Sequence, residues 1–324
     1  MPRYLVTGGC GFIGAHLTAA LLARGSAVMV LDDLSSGSIE RLPKAAELVI
    51  ADIRDDGAVS DAMAGCDACF HLAAIASVQR CQEEWARSHS VNLGGTVRVF
   101  EAARKHGNLP VVYASSAAIY GDLGPIPLDE TAAAHPISAY GSDKRGCELH
   151  ARCGGITFGL PTVGLRFFNV YGPGQDPQSP YSGAVSRFAE RLSQGRGIDI
   201  FGDGQQRRDF IYVGDVVRAL MLALPAASPA APIFNVCTGS SVSVLDLATT
   251  LFKLQGKTPA LKFQAARPGE IRYSLGDARA AAETLGFHAE TSLSAGLAAT
   301  LRSVNSRQGP QLAGASAVHV TAAF

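Results

Sequence analysis

The feature that most constrains this chain is a glycine-rich segment, Thr7–Gly14 (TGGCGFIG), placed between a short apolar run and a helical pattern. Glycines at positions 8, 11 and 14 remove side chains where a backbone must turn tightly and approach another group closely. The helix that begins here, with Phe12 and Ile13 in its first turn, offers free N–H groups to an anion. The segment therefore predicts a loop that binds the pyrophosphate of a dinucleotide, although an ordinary tight turn can carry the same pattern.

An acidic residue in the right place strengthens that prediction. Asp32 follows the second apolar run, 18 residues after Gly14 (32 − 14). Its carboxylate can accept hydrogen bonds from both ribose hydroxyls and would repel a 2′-phosphate. Asp33 adds to the repulsion, and no arginine stands at position 34 or 35. NAD is therefore the predicted cofactor, in preference to NADP.

Two further segments follow strands and have suitable composition for the same ligand. Asp52 and Ile53 come after the third apolar run and could hold the adenine amino group and its face. Leu72, Ala73 and Ala74 end the fourth run with small residues, as a backbone passing close to a cofactor requires. Tight packing of a helix on the sheet would also explain the two alanines.

The order of elements predicts an α/β fold. Strand and helix patterns alternate through the first half of the chain, and the strands are almost continuously apolar, which is typical of a doubly wound parallel sheet covered on both faces. The expected strands are Tyr4–Thr7, Ala27–Leu31, Glu47–Ala51, Ala68–Leu72, Pro110–Ala114 and Thr162–Arg166, and the expected long helices are Phe12–Arg24, Trp85–His106 and Ser138–Cys153. We expect this domain to cover residues 1–169, with returning segments near 205–240. A smaller mixed α/β C-terminal substrate lobe would lie mainly within 170–304, followed by a flexible tail at 305–324.

The best candidate for chemistry is a tyrosine and lysine four residues apart, Tyr140 and Lys144, which a helix places on one face. A free phenol is a poor base at neutral pH because its pKa is near ~10. A fixed ammonium nearby favours the phenolate, which can take a proton from an alcohol as its hydride leaves. Ser116, at the carboxyl end of the fifth strand, can hydrogen-bond the same hydroxyl and relay its proton, although a helix N-cap explains it equally well.

Composition excludes several other classes of protein. The chain has 28 basic and 28 acidic residues, so its net charge does not favour binding to nucleic acid or to an anionic membrane. Its 7 cysteines form no disulfide framework, and Cys66–Cys69 lacks a second pair at zinc-ribbon spacing, so no metal site is predicted. No apolar run is long enough to span a bilayer, and no signal peptide is evident, so a cytoplasmic location is expected.

Taken together, these motifs resemble the extended short-chain dehydrogenase/reductase family, and most closely its UDP-hexose 4-epimerases. The resemblance continues through later segments: Arg166–Pro173, Phe201–Gly204, Arg208–Phe210 and Arg267–Glu270. It implies a Rossmann-type domain, a tightly held NAD, a UDP-sugar substrate and a homodimer formed through helices Trp85–His106 and Ser138–Cys153. It also implies that a transient 4-keto sugar is formed and then reduced again on its other face.

The resemblance assigns roles to further residues. Asn92 would help to order the cofactor site, and Ser115, Tyr140 and Lys144 would contact the cofactor. Asn169, Arg208 and Arg267 would contact the substrate diphosphate, and Glu270 would hold a ribose hydroxyl of UDP.

Other reactions of the same family are less compatible with this sequence. A 4,6-dehydratase needs an acid and a base directly after Ser116, where this chain has Ala117 and Ala118. Decarboxylation or epimerisation of UDP-glucuronate remains open, without an extra basic residue near Ser116 to mark it. A ketosugar reductase using NADPH is disfavoured by Asp32, and a non-catalytic NAD-binding module is disfavoured by the Ser116, Tyr140 and Lys144 set.

One position bears on sugar size. In the epimerases, the residue three before the aspartate of Ser274–Asp277 is a gate, where a tyrosine excludes N-acetylated sugars. Counting back from Asp277 gives Ser274, which leaves room for an acetamido group. We therefore expect UDP-GlcNAc and UDP-GalNAc to be interconverted as well as UDP-glucose and UDP-galactose. A slip of one residue would put Tyr273 in the gate instead.

Overall fold

The fold is described from a computed structural model, which covers residues 1–177, 183–266, 271–307 and 320–321. Its largest sheet holds β1 (Arg3–Thr7), β2 (Ala27–Asp32), β3 (Glu47–Ile50), β4 (Ala68–His71), β5 (Val111–Ser116), β6 (Thr162–Phe167), β11 (Ile233–Val236) and β15 (Val320–Thr321). The spatial order is β11-β6-β5-β4-β1-β2-β3-β15, and every neighbouring pair is parallel. The prediction of a doubly wound parallel sheet is confirmed.

Helices cover both faces of this sheet, which explains why its central strands are apolar throughout. The helices of the N-terminal half are α1 (Phe12–Ala23), α2 (Asp56–Met63), α3 (Val78–Glu83), α4 (Trp85–His89), α5 (Thr96–Lys105) and α6 (Ala139–Phe158), and α8 (Val213–Ala223) follows later. One core cluster contains Leu17 of α1 and Leu220 of α8, and a second contains Val99 of α5 and Ala151 of α6. All six residues of β6 are buried between these layers.

The predicted helix Trp85–His106 needs the largest correction. It is divided into α4, a π-helical segment Ser90–Gly95 and α5. A π-helix adds one residue to the turn, and such segments occur most often at functional sites. Hydrophobic periodicity does not reveal this division, because the three helical segments follow one another without a break.

A third core cluster supports the C-terminal lobe. It is formed by α7 (Ala184–Ser193), α9 (Val244–Leu254) and α11 (Leu293–Arg307), together with β8 (Ile198–Phe201) and β10 (Phe210–Tyr212). Three small sheets complete the lobe and its junction: β10 with β7 (Asn169–Tyr171), β8 with β13 (Leu261–Gln264), and β9 (Arg207–Arg208) between β12 (Val242–Ser243) and β14 (Tyr273–Ser274). Helix α10 (Arg279–Leu285) packs back on the core of the large sheet. Helix α11 extends to Arg307, and Val320–Thr321 pair with β3. The remainder of 305–324 lies outside the described residues, so the flexible tail stays a prediction.

The large sheet creates a crevice where its winding direction changes. Strands β1, β2 and β3 are added in one direction, and β4 returns to the other side of β1. At such a switch point the loops after β1 and β4 diverge, and ligands bind at the carboxyl ends of the strands.

No helix in the described part of the chain is long and apolar enough to cross a bilayer. Helix α6 carries exposed apolar side chains: Leu149 is 47% and Ile156 is 74% exposed. The homodimer expected through this helix stays a prediction.

Two adjacent glycines test how α6 packs. A Cβ on Gly155 would lie 2.0 Å from the Pro229 carbonyl oxygen, whereas on Gly154 its nearest contact is Leu160 Cδ2 at 3.5 Å. We predict that Gly155→Ala lowers the free energy of unfolding by about 1–3 kcal/mol, because the backbone must shift. Gly154→Ala should raise it by up to ~1 kcal/mol, since alanine is the better helix former. Urea unfolding of both variants checks this, and a change of the same sign in both would contradict the packing described.

Candidate active site

A cavity of about 790 Å³ runs along the carboxyl ends of the parallel strands and on into the lobe. Most residues predicted from the sequence line it: Gly8, Gly11, Phe12, Ile13, Gly14, Asp32, Asp52, Ile53, Leu72, Ala73, Ala74, Ser115, Ser116, Tyr140, Lys144, Asn169 and Arg208. Asn92 and Ser274 lie behind its wall, and Arg267 and Glu270 lie outside the described residues.

The glycine-rich loop forms a cradle in which positions 8 and 14 have no room for a side chain. Gly8 has a φ of +72°, and a Cβ there would lie 2.7 Å from the backbone nitrogen of Ala73 on the neighbouring β4 loop. A Cβ on Gly14 would lie 2.1 Å from the Gly8 carbonyl oxygen. Helix α1 begins directly after Gly11 and points its first N–H groups into this cradle. The geometry suits the pyrophosphate of a dinucleotide.

Asp32 is held in place from both sides. Its Oδ2 accepts from the Cys10 backbone N–H at 2.9 Å, and its Oδ1 accepts from that of Leu34 at 2.9 Å. Burial raises the pKa of Asp32, and the two N–H donors act in the opposite direction. Each carboxylate oxygen keeps a further lone pair for a ribose hydroxyl.

Asp52 has a partner that the sequence pattern did not indicate. Arg54 donates to both of its carboxylate oxygens, from Nε at 3.0 Å and from a terminal nitrogen at 2.6 Å. These hydrogen bonds hold the pKa of Asp52 below its usual range. Asp52 therefore reaches the cavity as half of an ion pair, beside the buried Ile53.

The buried His71, at the end of β4, is part of a chain of hydrogen bonds that reaches Ala73 in the cavity wall. Thr96 Oγ1 donates to the Asn92 carbonyl oxygen at 2.6 Å, so it accepts from His71 Nε2, which lies 2.9 Å away. His71 Nδ1 then accepts from Thr7 Oγ1 at 2.7 Å, and this hydroxyl accepts from the Ala73 backbone N–H at 3.3 Å. This directional chain assigns a neutral His71 that carries its proton on Nε2.

Asn92, in the π-helical segment, holds the backbone of Ile75 in the cavity wall. Its Oδ1 accepts from the Ile75 backbone N–H at 2.8 Å, and its Nδ2 donates to the Ile75 carbonyl oxygen at 3.2 Å. Ile75 lines the cavity, whereas Asn92 is completely buried. The π-helical segment thus contains the asparagine that fixes the backbone after β4.

The tyrosine and lysine are positioned by the start of α6. Ser138 caps this helix, its hydroxyl accepting from the Gly141 backbone N–H at 3.1 Å. A Cβ on Gly141 would lie 2.5 Å from the Ala118 carbonyl oxygen, so the helix rests directly on the turn after β5. Lys144 is 2% exposed and donates to the Ala114 carbonyl oxygen at 2.8 Å, and its Nζ lies 5.9 Å from the centre of the Tyr140 ring.

The two serines at the end of β5 differ in their surroundings. Ser116 caps a short 3₁₀-helix (Ala117–Ile119), accepting from the Ala118 backbone N–H at 3.2 Å, and it also lines the cavity. The helix-cap and binding interpretations of Ser116 are therefore compatible. Ser115 instead donates its proton to Glu148 at 2.6 Å in the interior.

At the lobe end of the cavity, Asn169 and Arg208 lie on adjoining small strands. Asn169 begins β7 and pairs with Phe210, and Arg208 ends β9. Ser274 pairs with Arg208 across β14 and β9, one strand behind the cavity wall. The structure therefore brings Ser274 next to a cavity residue without placing it in the wall itself.

Some cavity residues were not predicted from the sequence, among them Arg41, Arg87, Phe201 and Gln206. Arg41 reaches the cavity from a short 3₁₀-helix (Ile39–Arg41), near the Asp32 end. Positions 34 and 35, directly after β2, carry no basic residue, and Arg41 stands further along the loop to β3. Basic residues anywhere in that loop are the signal that indicates such a contact.

A glycine cradle, a buried acid after β2 and a tyrosine–lysine pair over the same sheet edge define a dinucleotide-dependent α/β enzyme, and these residues fit NAD. The chain belongs to the NAD dependent epimerase/dehydratase family, which matches residues 4–237.

Individual relatives agree with this assignment. The chain is 38% identical over 308 residues to a UDP-glucose 4-epimerase of Mycolicibacterium smegmatis, covering 92% of this chain and 97% of that protein. The crystal structure of a Thermotoga maritima UDP-glucose 4-epimerase with UDP-glucose superposes with a TM-score of 0.91 at 36% identity, covering 94% and 99% of the two chains. A UDP-N-acetylglucosamine 4-epimerase of Methanobrevibacter ruminantium, in complex with UDP-N-acetylmuramic acid, has a TM-score of 0.89 at 32% identity, covering 94% and 99%.

The buried His71 predicts a specific dependence of stability on pH. Burial, with the charge of Lys144 as a smaller cause, lowers the pKa of His71 to about 3. An unfolded histidine takes up a proton below about pH 6.5, whereas the folded one does not. Stability should therefore fall as the pH drops from ~6.5 towards ~3, by up to ~1.4 kcal/mol per pH unit.

The variant His71→Asn removes this contribution, so its free energy of unfolding should depend less steeply on pH in that window. The matched control is His135→Asn, since His135 is exposed and should leave the wild-type slope unchanged. Chemical unfolding at several pH values measures both slopes. Parallel curves for wild type and His71→Asn would contradict a buried, neutral His71.

Proposed function

We propose that this protein interconverts UDP-hexoses that differ in configuration at carbon 4. The observation that carries the proposal is the single cavity shared by the glycine cradle, by Ser116, Tyr140 and Lys144, and by Arg208. A cofactor and a sugar nucleotide can therefore meet at the tyrosine. The family and the activities of its relatives support the same reaction.

In the proposed reaction, Tyr140 as the phenolate takes the proton of the 4-hydroxyl group. The Lys144 Nζ lies 5.9 Å from the centre of the Tyr140 ring, and Ser116 hydrogen-bonds the same hydroxyl and orients it. When bound, NAD supplies the hydride acceptor, and later the hydride donor, for carbon 4. The 4-keto sugar turns over before the hydrogen is returned to its other face, and Tyr140 gives the proton back. No external reductant is consumed.

The lobe end of the cavity supplies groups suited to a nucleoside diphosphate. We assign the diphosphate to Asn169 and Arg208, because a guanidinium binds phosphate oxygens through two donors at once. Arg267 is assigned to the same diphosphate and Glu270 to a ribose hydroxyl; both assignments rest on the family motif.

Dehydration is the reaction of this family that the site supports least. It requires proton transfers at carbons 5 and 6 in addition to carbon 4. The two residues after Ser116 are Ala117 and Ala118, and neither has a group that can transfer a proton. Epimerisation needs no further acid or base, because the same hydroxyl is deprotonated and reprotonated.

Removing the phenol tests the proposal directly. Tyr140→Phe should lower kcat for the interconversion of UDP-glucose and UDP-galactose by about 10²–10⁴-fold, because the general base is lost. Tyr4→Phe is the matched control, since Tyr4 lies outside the cavity lining and should retain the wild-type rate. Product analysis without added NAD or NADPH measures both.

Three outcomes of this assay oppose the proposal. An undiminished rate in Tyr140→Phe would remove the tyrosine from the reaction. A strict requirement for added NADPH would favour a ketosugar reductase. Retained NAD binding without turnover of any UDP-hexose would favour a regulatory module.

We further propose that UDP-GlcNAc and UDP-GalNAc are interconverted at least as well as the plain sugars, with Ser274 as the gate. The position of Ser274 beside Arg208 supports a location close to the substrate. Ser274→Tyr should selectively abolish turnover of the N-acetylated pair, because a ring replaces a hydroxyl. The reference variant is Tyr273→Ser, which should leave the preference unchanged. If Tyr273→Ser is the variant that alters the preference, the gate has been assigned one residue too late.

A further inference from the structure

A chain of buried polar side chains connects the catalytic strand to the segment that contains Ser274. We call it the Arg166 network, and its members are Ser115, Tyr120, Glu148, Arg166 and Asn235. Each is at most 3% exposed. Burying a charged pair is costly unless it is fully hydrogen-bonded, so a network of this kind needs an explanation.

Arg166 is the centre of the network and uses its guanidinium in three directions. Its Nε and one terminal nitrogen donate to the two carboxylate oxygens of Glu148 at 2.8 and 2.9 Å. Its other terminal nitrogen donates to Tyr120 Oη at 2.8 Å and to the Glu130 carbonyl oxygen at 3.1 Å. Burial alone would raise the pKa of Glu148, but the hydrogen bonds and charge of Arg166 outweigh it and lower that pKa. The pair is therefore a buried carboxylate and guanidinium.

At one end the network holds the catalytic elements together. Ser115 donates to Glu148 Oε1 at 2.6 Å, and Ser115 directly precedes Ser116 on β5. Glu148 is on α6, one turn after Lys144 and two turns after Tyr140. The Glu148 carboxylate thus ties the strand that carries the serine to the helix that carries the tyrosine and lysine.

At its other end the network reaches the lobe. The single proton of the Tyr120 hydroxyl has two acceptors in reach, Asn235 Oδ1 at 2.8 Å and the Asp129 carbonyl oxygen at 3.0 Å, of which Asn235 is the nearer. Asn235 Nδ2 donates to the carbonyl oxygens of Leu128 and Asp277 at 2.8 and 3.2 Å. Leu128 in turn pairs with the backbone of Leu275 and Asp277, each at 2.9 Å. Burial raises the pKa of Tyr120 to about 12, so its hydroxyl remains a donor at neutral pH.

From this connection we infer that the Arg166 network is a positioning unit, which keeps Ser116 and Tyr140 at a fixed separation from the segment 274–277. The inference rests on the proposed function. A keto sugar that turns between two faces must present carbon 4 to the same groups twice, and rates fall by ~10² for a displacement of about 1 Å. The network should therefore govern kcat and leave substrate binding almost unchanged.

Tyr120→Phe is the most specific test, because it removes one hydroxyl from the middle of the network and changes no charge. We expect kcat for UDP-hexose interconversion to fall about 10- to 100-fold, with KM within ~3-fold of wild type. Tyr113→Phe is the matched control: Tyr113 is 1% exposed on β5, and its hydroxyl has no hydrogen-bond partner in the described structure. That variant should keep both wild-type constants.

A second variant acts at the other end of the network. Glu148→Gln keeps the shape of the side chain but leaves two guanidiniums that donate to it, those of Arg145 and Arg166, without their carboxylate. We expect kcat to fall at least 10-fold, with KM again within ~3-fold of wild type.

The outcomes separate the two hypotheses. A wild-type kcat in Tyr120→Phe, an effect on KM alone, or a Tyr120→Phe protein that fails to fold would each overturn the positioning role and leave the proposed function intact. A wild-type kcat in a folded Glu148→Gln protein would also oppose it. If wild-type protein interconverts no UDP-hexose, the proposed function fails and this inference fails with it.

Discussion

The buried ammonium of Lys144 is the interaction on which the rest of the site depends. It is held between the Ala114 carbonyl oxygen of β5 and the ring of Tyr140, and it is almost inaccessible to water. A charge in that position is little screened by solvent. In the proposed reaction, the phenol beside it serves as base and acid in turn. Without this ammonium, Tyr140 would be an ordinary tyrosine at the edge of the sheet.

The fold explains why those groups meet. Parallel strands end at one edge, so the residues that follow β1, β4 and β5 are brought to the same crevice although they are far apart in the sequence. The glycine cradle, Ala73 and Ser116 are three examples. Helix α6 then rests on the turn after β5 at a distance that only glycine at position 141 allows. The lobe closes the far end of the cavity with Asn169 and Arg208.

Local patterns were sufficient to predict much of this arrangement. The loop Thr7–Gly14, the acid at 32 and the six strands of the N-terminal half each depend on a few consecutive residues, and their positions in the structure agree to within two residues at either end. Ser116 and Tyr140 were found because each occurs in a short motif at a strand end or a helix start. The identity of the cofactor followed from the same local chemistry.

What the sequence did not reveal depends on side-chain contacts that no pattern encodes, most of them between residues distant along the chain. Arg54 forms an ion pair with Asp52, and Asn92, in the π-helical segment, is hydrogen-bonded to the backbone of Ile75. The Arg166 network joins residues as far apart as Tyr120 and Asn235, 115 positions, and no period or spacing indicates such a pairing. The two-residue strands that carry Arg208 and Ser274 are too short for any hydrophobic pattern.

In the proposed reaction, carbon 4 gives up a hydride and receives the same hydride back. UDP-glucose carrying deuterium at carbon 4 tests it most directly, in protein supplied with no external cofactor. Mass spectrometry and NMR of the UDP-galactose formed should find the deuterium still at carbon 4, with none exchanged for solvent hydrogen. Loss of the label to water during interconversion would mean that carbon 4 gives up a proton instead of a hydride, and that result would contradict the proposed mechanism.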